Sequence, residues 1–127
     1  MRFPTELKYT KDHEWVKTEG KTISVGVTDH AQSALGDVVF VDLPKVGREL
    51  KKGETFGVVE SIKAVSDLYS PITGKVIESN TALPNDPAQV NREPHGAWMI
   101  KLEVSNSSEL TDLMDAQAYA KYVETLK

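Results

Sequence analysis

Apolar and polar positions alternate in short runs along most of the chain, and turns carrying glycine or proline separate the runs. That pattern predicts a mainly β protein. Leu7 to Thr10 and His13 to Lys17 are short strand candidates, and Glu19-Gly20 turns the second back into Ile23 to Val27, which alternates with period two. Asp29 has the place of a helix N-cap, with Gln32 at the third helical position and Gly36 where the helix stops, so about two turns are expected. Asp37 to Leu43 is almost unbroken in its apolar character, which predicts a core strand covered on both faces, with Phe40 buried. Pro44 to Gly47 turns, Arg48 to Leu50 is at most an edge strand, and Lys52-Gly53 turns again. Lys75 to Ser79 makes a further strand, and Pro84 to Pro87 breaks regular structure. Trp98, Ile100, Leu102 and Val104 alternate with Met99, Lys101 and Glu103, as in a half-buried strand. From Ser108 the period changes: Asp115 can cap a last helix with Tyr119, Val123 and Leu126 on one stripe, packed against the strands.

Between these elements lies the stretch Thr55 to Gly74. Thr55-Phe56-Gly57-Val58-Val59 is dense in β-branched and apolar residues, and Leu68-Tyr69-Ser70 leads into the turn Pro71-Ile72-Thr73-Gly74. Lys63 therefore falls on the outer bend of a hairpin spanning about residues 55–70. A primary amine there, flanked by Ile62 and Ala64, is open to an approaching enzyme. A weak internal repeat surrounds it: Gly36-Asp37-Val38-Val39 and the strand ending at Ile62 echo Gly74-Lys75-Val76-Ile77 and the strand Trp98 to Val104. Two such β-halves are expected to pack as a flattened barrel of two sheets with approximate two-fold symmetry and Lys63 at one tip.

Composition narrows the functional classes. A chain of 127 residues fits a single domain, 1–127, with a C-terminal helical segment over about 108–127. Fifteen basic against nineteen acidic side chains give a formal charge of −4, and no basic cluster would attract a phosphate backbone, so nucleic acid is not an expected partner. Without cysteine there is no disulfide framework, thiolate nucleophile or thiolate metal site. No apolar run is long enough to span a bilayer, and Met1 to Thr5 lacks an apolar signal core. The expectation is a cytoplasmic protein, or a mitochondrial matrix protein whose presequence is absent.

Other chemistry finds little support. His13, His30 and His95 lie in separate segments with no metal-ligand spacing, and neither a nucleophile elbow nor a phosphate loop is present. Trp15 and Trp98 read as packing residues rather than a ligand box. Lys63 as a Schiff-base nucleophile would need burial or a nearby cation to bring its pKa down from about 10.4, and a solvent-facing turn offers neither. A carrier acylated on Lys63 and an unmodified interaction module remain.

Val59-Glu60-Ser61-Ile62-Lys63-Ala64-Val65-Ser66-Asp67-Leu68 resembles the lipoyl-attachment segment of the glycine cleavage system H proteins. The resemblance extends through His13-Glu14-Trp15-Val16, Val25 to Gln32, Leu35 to Pro44, Ser70 to Gly74 and Gly96 to Lys101, in order and over nearly the whole chain. Biotin carriers share the fold class but place methionines beside the lysine, so Ile62 and Ala64 favour lipoate.

The resemblance implies a barrel-sandwich lipoyl fold with an extra helix and a C-terminal helix, and a non-enzymatic carrier with lipoate on Lys63. Its implied partners are a pyridoxal-phosphate-dependent glycine decarboxylase, which loads the aminomethyl group of glycine onto the arm, an aminomethyltransferase, which passes the one-carbon unit to tetrahydrofolate, and dihydrolipoamide dehydrogenase, which reoxidises the arm. A lipoate ligase or a lipoyl/octanoyl transferase would attach the cofactor, and a monomer suits a protein that visits several enzymes. The alternative is a carrier relaying lipoate to other complexes. In the family the loaded arm swings into a surface cleft, where Glu14, Asp67 and Asp12 match positions suited to hold its amine. A histidine found in some relatives six residues past Thr28 is Ala34 here, so that contact is lost.

Overall fold

A computed structural model describes residues 3–126. Its strands are β1 (Lys8–Tyr9), β2 (Glu14–Glu19), β3 (Thr22–Val27), β4 (Val38–Asp42), β5 (Glu49–Leu50), β6 (Thr55–Ser61), β7 (Val65–Tyr69), β8 (Gly74–Ser79) and β9 (Ile100–Val104). Its helices are α1 (Asp29–Leu35), α2 (Gln89–Arg92) and α3 (Ala116–Glu124), with 3₁₀ turns at Leu83–Asn85 and Ser107–Asp112. The strands form two antiparallel sheets, one ordered β1-β2-β3-β9-β8-β5 and the other β4-β6-β7. Val25, Val76, Ile100 and Leu102 of the first meet Val41, Phe56, Val59 and Leu68 of the second in one apolar core.

The mainly β architecture with short helices and a C-terminal helix is as expected, but the two hydrogen-bonded ladders stay open and do not close into a barrel. The internal repeat leaves a physical mark. The β4–β6 ladder slips between Val38 and Phe40, and the β8–β9 ladder slips between Val76 and Glu78, at the matching positions of the two repeats.

Several local expectations are corrected. The cap of α1 is Thr28, whose hydroxyl accepts from the Ala31 N–H at 3.2 Å, while Asp29 is the first helical residue and accepts from Gln32 Nε2 at 2.8 Å. Both residue types cap helices well, and Thr28 is further held by Tyr119 on α3. In β3, Ile23 to Val27 are buried on both faces, because the ring of Trp15 lies over Gly26 and α3 packs beyond it. A methyl on Gly26 would stand 2.6 Å from that ring.

In β4 only Val38 and Val41 are buried, and Phe40 is 48% exposed. The bulge and the uncovered outer face of the three-stranded sheet turn it outward. Strand β9 begins at Ile100. Before it, Met99 is buried, its N–H donating to Val25 O, and Trp98 is half-buried under Lys101, so the expected alternation runs only from Ile100 onward.

Asp115 does cap α3, accepting from the Ala118 N–H at 2.7 Å. Tyr119 and Val123 pack on Leu7, Tyr9 and Trp15 in a second apolar cluster, but Leu126 lies past the helix and is exposed. Lys127, which the expected C-terminal segment included, lies outside the described residues. Among the described residues no helix is long and apolar enough to cross a membrane.

Candidate functional site

Strands β6 and β7 pair from Thr55–Tyr69 to Glu60–Val65, and Ile62, Lys63 and Ala64 make the bend. Ser61 holds that bend together. Its backbone N–H donates to Ala64 O at 2.8 Å, and its hydroxyl oxygen accepts from the N–H groups of Lys63 (3.3 Å) and Ala64 (3.1 Å). The Ile62 N–H donates to Asp37 O at 3.2 Å, anchoring the tip to the segment before β4. The backbone of Lys63 is thus fixed while its side chain stays exposed, as the hairpin reading required.

The side chain lies over the C-terminal end of α1. A methyl on Gly36 would come within 3.4 Å of Lys63 Cε, and Gly36 has φ 81°, a left-handed conformation suited to glycine. Asn91 of α2 fixes this corner: its amide donates to Gly36 O (2.8 Å) and Gln32 Oε1 (3.1 Å), and its Oδ1 accepts from the Val38 N–H (2.8 Å). Sequence reasoning missed both Ser61 and Asn91 as positioning residues. Ser61 carries a readable signal, since a serine before a bend bonds the backbone beyond it. Asn91 lies far from Gly36 in the chain and carries none.

Between α1 and the edge strand β7 runs a cleft of about 340 Å³ that reaches the hairpin at Ala64. Asp12 and Asp67 are exposed on its rim, and His13, His30 and Ala34 line it. Ala34 contributes only a methyl group to this wall.

Glu14 does not stand on the rim. It is 1% exposed, with Oε2 accepting from the Tyr69 N–H (2.9 Å) and Oε1 from the Thr10 hydroxyl (3.2 Å), so it ties β2 to the far end of β7. Burial pushes its carboxyl up to about 8. The Tyr69 N–H pulls the other way, Asp12 adds to the rise, and the Thr10 hydroxyl opposes it. Glu14, expected with Asp67 and Asp12 as a holder of the arm's amine, is thus set back from the rim on which those two stand.

His13 and His30, distant in sequence, meet in the cleft with ring centroids 4.6 Å apart. Burial, and then the neighbouring His30, lower the pKa of His13, with Asp12 opposing. Its Nδ1 bonds the Tyr119 hydroxyl at 2.8 Å, and the same hydroxyl bonds Thr28 Oγ1 at 2.8 Å, so α3 braces the cleft from behind. His95 lies with α1 instead, its Nε2 accepting from the Asp29 N–H at 3.3 Å. Trp15 is a packing residue whose indole N–H donates to Pro94 O at 2.8 Å. Among the described residues no three His, Asp or Glu side chains are grouped to hold a metal ion.

The chain is similar to known proteins over nearly its full length. The family described as "Glycine cleavage H-protein" matches residues 7–126. The glycine cleavage system H protein of Symbiobacterium thermophilum is 56% identical over 122 residues, covering 95% of each chain. That of Koribacter versatilis is 54% identical over 122 residues, covering 96% of this chain and 94% of the relative. The crystal structure of a glycine cleavage system H protein from Mycobacterium marinum superposes with a TM-score of 0.85 at 39% identity, covering 96% of this chain and 99% of that one. This chain belongs to the glycine cleavage H-protein family.

Proposed function

We propose that Lys63 is the attachment point of a lipoyl group, joined as an amide through Nζ, and that the cleft between α1 and β7 receives the loaded arm. The protein is a carrier of the glycine cleavage system and not itself an enzyme. One observation carries the attachment: in a chain of this family, Lys63 projects from a three-residue bend whose backbone Ser61 pins, with its side chain exposed beside the cleft. When attached, the lipoyl disulfide would accept the aminomethyl group of glycine and become reduced.

The residues present suit that group. An exposed primary amine can be acylated, and acylation removes its charge, which eases entry into apolar channels. Asp12 and Asp67 on the rim would hold a protonated amine through charge-assisted hydrogen bonds. Glu14 has a positional part in this reading. Buried and bonded to the Tyr69 N–H, it fixes the end of β7, and a direct contact with the arm would need that end to open.

Residues 1–127 then act as one lipoyl-carrier domain, a monomer working in the bacterial cytoplasm. It would present its arm in turn to a pyridoxal-phosphate-dependent glycine decarboxylase, an aminomethyltransferase and dihydrolipoamide dehydrogenase, after loading by a lipoate ligase or a lipoyl/octanoyl transferase. The tether raises the arm's effective concentration at each enzyme.

The test is reconstitution. With the three enzymes, glycine-dependent exchange of labelled bicarbonate should require lipoate-loaded protein and vanish with Lys63→Arg, which keeps the charge but does not form the amide. Full exchange with Lys63→Arg would refute the proposal.

A further inference from the structure

Six large hydrophobic residues stand out as exposed among the described residues, and four of them, Val39, Phe40, Ile62 and Val65, lie on the three-stranded sheet or its bend. Register explains the grouping. Phe40 pairs with Glu60 and Glu60 with Val65, so the three side chains form one row across the sheet. Asp42, Val58 and Asp67 form the next row. Residues directly opposite one another share a face, and Val41 and Val59, one position along, are the ones that point into the core. The outer face thus carries Phe40 and, on the edge strand β7 where it also lines the mouth of the cleft, Val65, with Ile62 73% exposed at the tip beside Lys63. Glu60 stands between Phe40 and Val65, Asp42 and Asp67 flank them in the next row, and no residue of β4, β6 or β7 is basic, Lys45 lying beyond β4 in a groove it shares with Phe40 and Asp42.

Exposed apolar groups on one face, interspersed with charges of one sign, mark an interaction surface. The charge narrows the partner to a protein with an apolar pocket among arginines or lysines. A second copy would bring three carboxylates against three, and nucleic acid would meet the same repulsion.

Reach narrows it further. An enzyme that acts on the end of a long arm can dock at a distance, whereas the enzyme that forms the amide must bring an activated acyl carbon to Lys63 Nζ itself. There the neutral amine displaces the donor's leaving group, the amide forms, and nitrogen sheds a proton. We infer that the outer face of the β4-β6-β7 sheet, centred on Phe40 and Val65, is the docking surface of the lysine-acylating enzyme. This rests on the attachment reading above.

The test uses the full chain with purified lipoate–protein ligase, lipoate and ATP. Phe40→Ser and, independently, Val65→Ser should each raise the KM for this protein about tenfold with kcat within about twofold, the pattern of a lost docking contact. Leu126→Ser, an exposed apolar residue beyond α3, should change neither. Added salt should raise the wild-type KM, and less so for Asp42→Asn. Unchanged KM in both folded sheet variants, or an equal rise with Leu126→Ser, would overturn the surface. So would sedimentation showing a wild-type dimer that Phe40→Ser dissolves, because the face would then belong to a second copy. Wild-type protein that takes no lipoyl group on Lys63 would instead refute the attachment, and this inference with it.

Discussion

Glu14 shows how much a single residue can depend on its surroundings. An ordinary glutamate is ionised at neutral pH, but this one is sealed from water and its carboxyl titrates near 8. A carboxyl that binds its proton more tightly folded than unfolded makes the native state hold more protons between the two pKa values. Its contribution is therefore favourable at low pH, and stability falls as pH rises from about 4.5 to about 8. Glu14→Gln keeps an acceptor for the Tyr69 N–H and removes the titration. Urea unfolding should show wild type losing a few kcal/mol relative to Glu14→Gln across that window. Parallel profiles for the two proteins would show that Glu14 is not held in this way.

Phe40 and Phe56 make the complementary case for apolar residues. Phe56 is fully buried, and its truncation to alanine should cost about 3–5 kcal/mol, while Phe40→Ala should cost less than about 1 kcal/mol. Similar losses for the two would place Phe40 in the core after all.

At the scale of elements, the hairpin, the edge strand β5 and the Asp115 cap were legible in the sequence, because each rests on contacts between near neighbours. What was not legible depends on distant partners. Phe40 sits in an apolar run that looks like core, and only the bulge after Val38 and the bare outer face of a three-stranded sheet turn it out. Asp29 is the better cap on paper, and a hydroxyl from α3, 91 residues away, helps to hold Thr28 in that place instead. Residues 23–27 alternate with period two, yet Trp15 and α3 cover the second side of β3 as well. In the candidate site, the exposed bend at Lys63 was readable from the hairpin pattern, whereas Asp12 and Asp67 were suggested by the resemblance alone. The burial of Glu14, the pairing of His13 with His30 and the bracing by Asn91 arise only from the fold. The α1 cap gives a direct check. Thr28→Val removes both the cap and the bond to Tyr119 and should cost about 1–2 kcal/mol, while Asp29→Ala should cost clearly less. The reverse order in denaturant midpoints would move the cap back to Asp29.

At the scale of the whole molecule, one exposed lysine stands at the tip of a packed two-sheet body. Two sheets and α3 frame the cleft, Ser61 and Asn91 hold the bend and its neighbour, and the Lys63 side chain is exposed beside them. If Asp12 and Asp67 hold the amine of the loaded arm, then Asp67→Asn and Asp12→Asn should speed formaldehyde release from aminomethyl-loaded protein without partner enzymes. Release rates equal to wild type would remove both from the cleft's function.

Site-resolved mass spectrometry after incubation with lipoate ligase, lipoate and ATP reads the proposed attachment without any further enzyme. A single lipoyl increment is expected, mapped to Lys63 and absent in Lys63→Arg. An unchanged mass, or a lipoyl group on Lys45, Lys51 or Lys75, would contradict it.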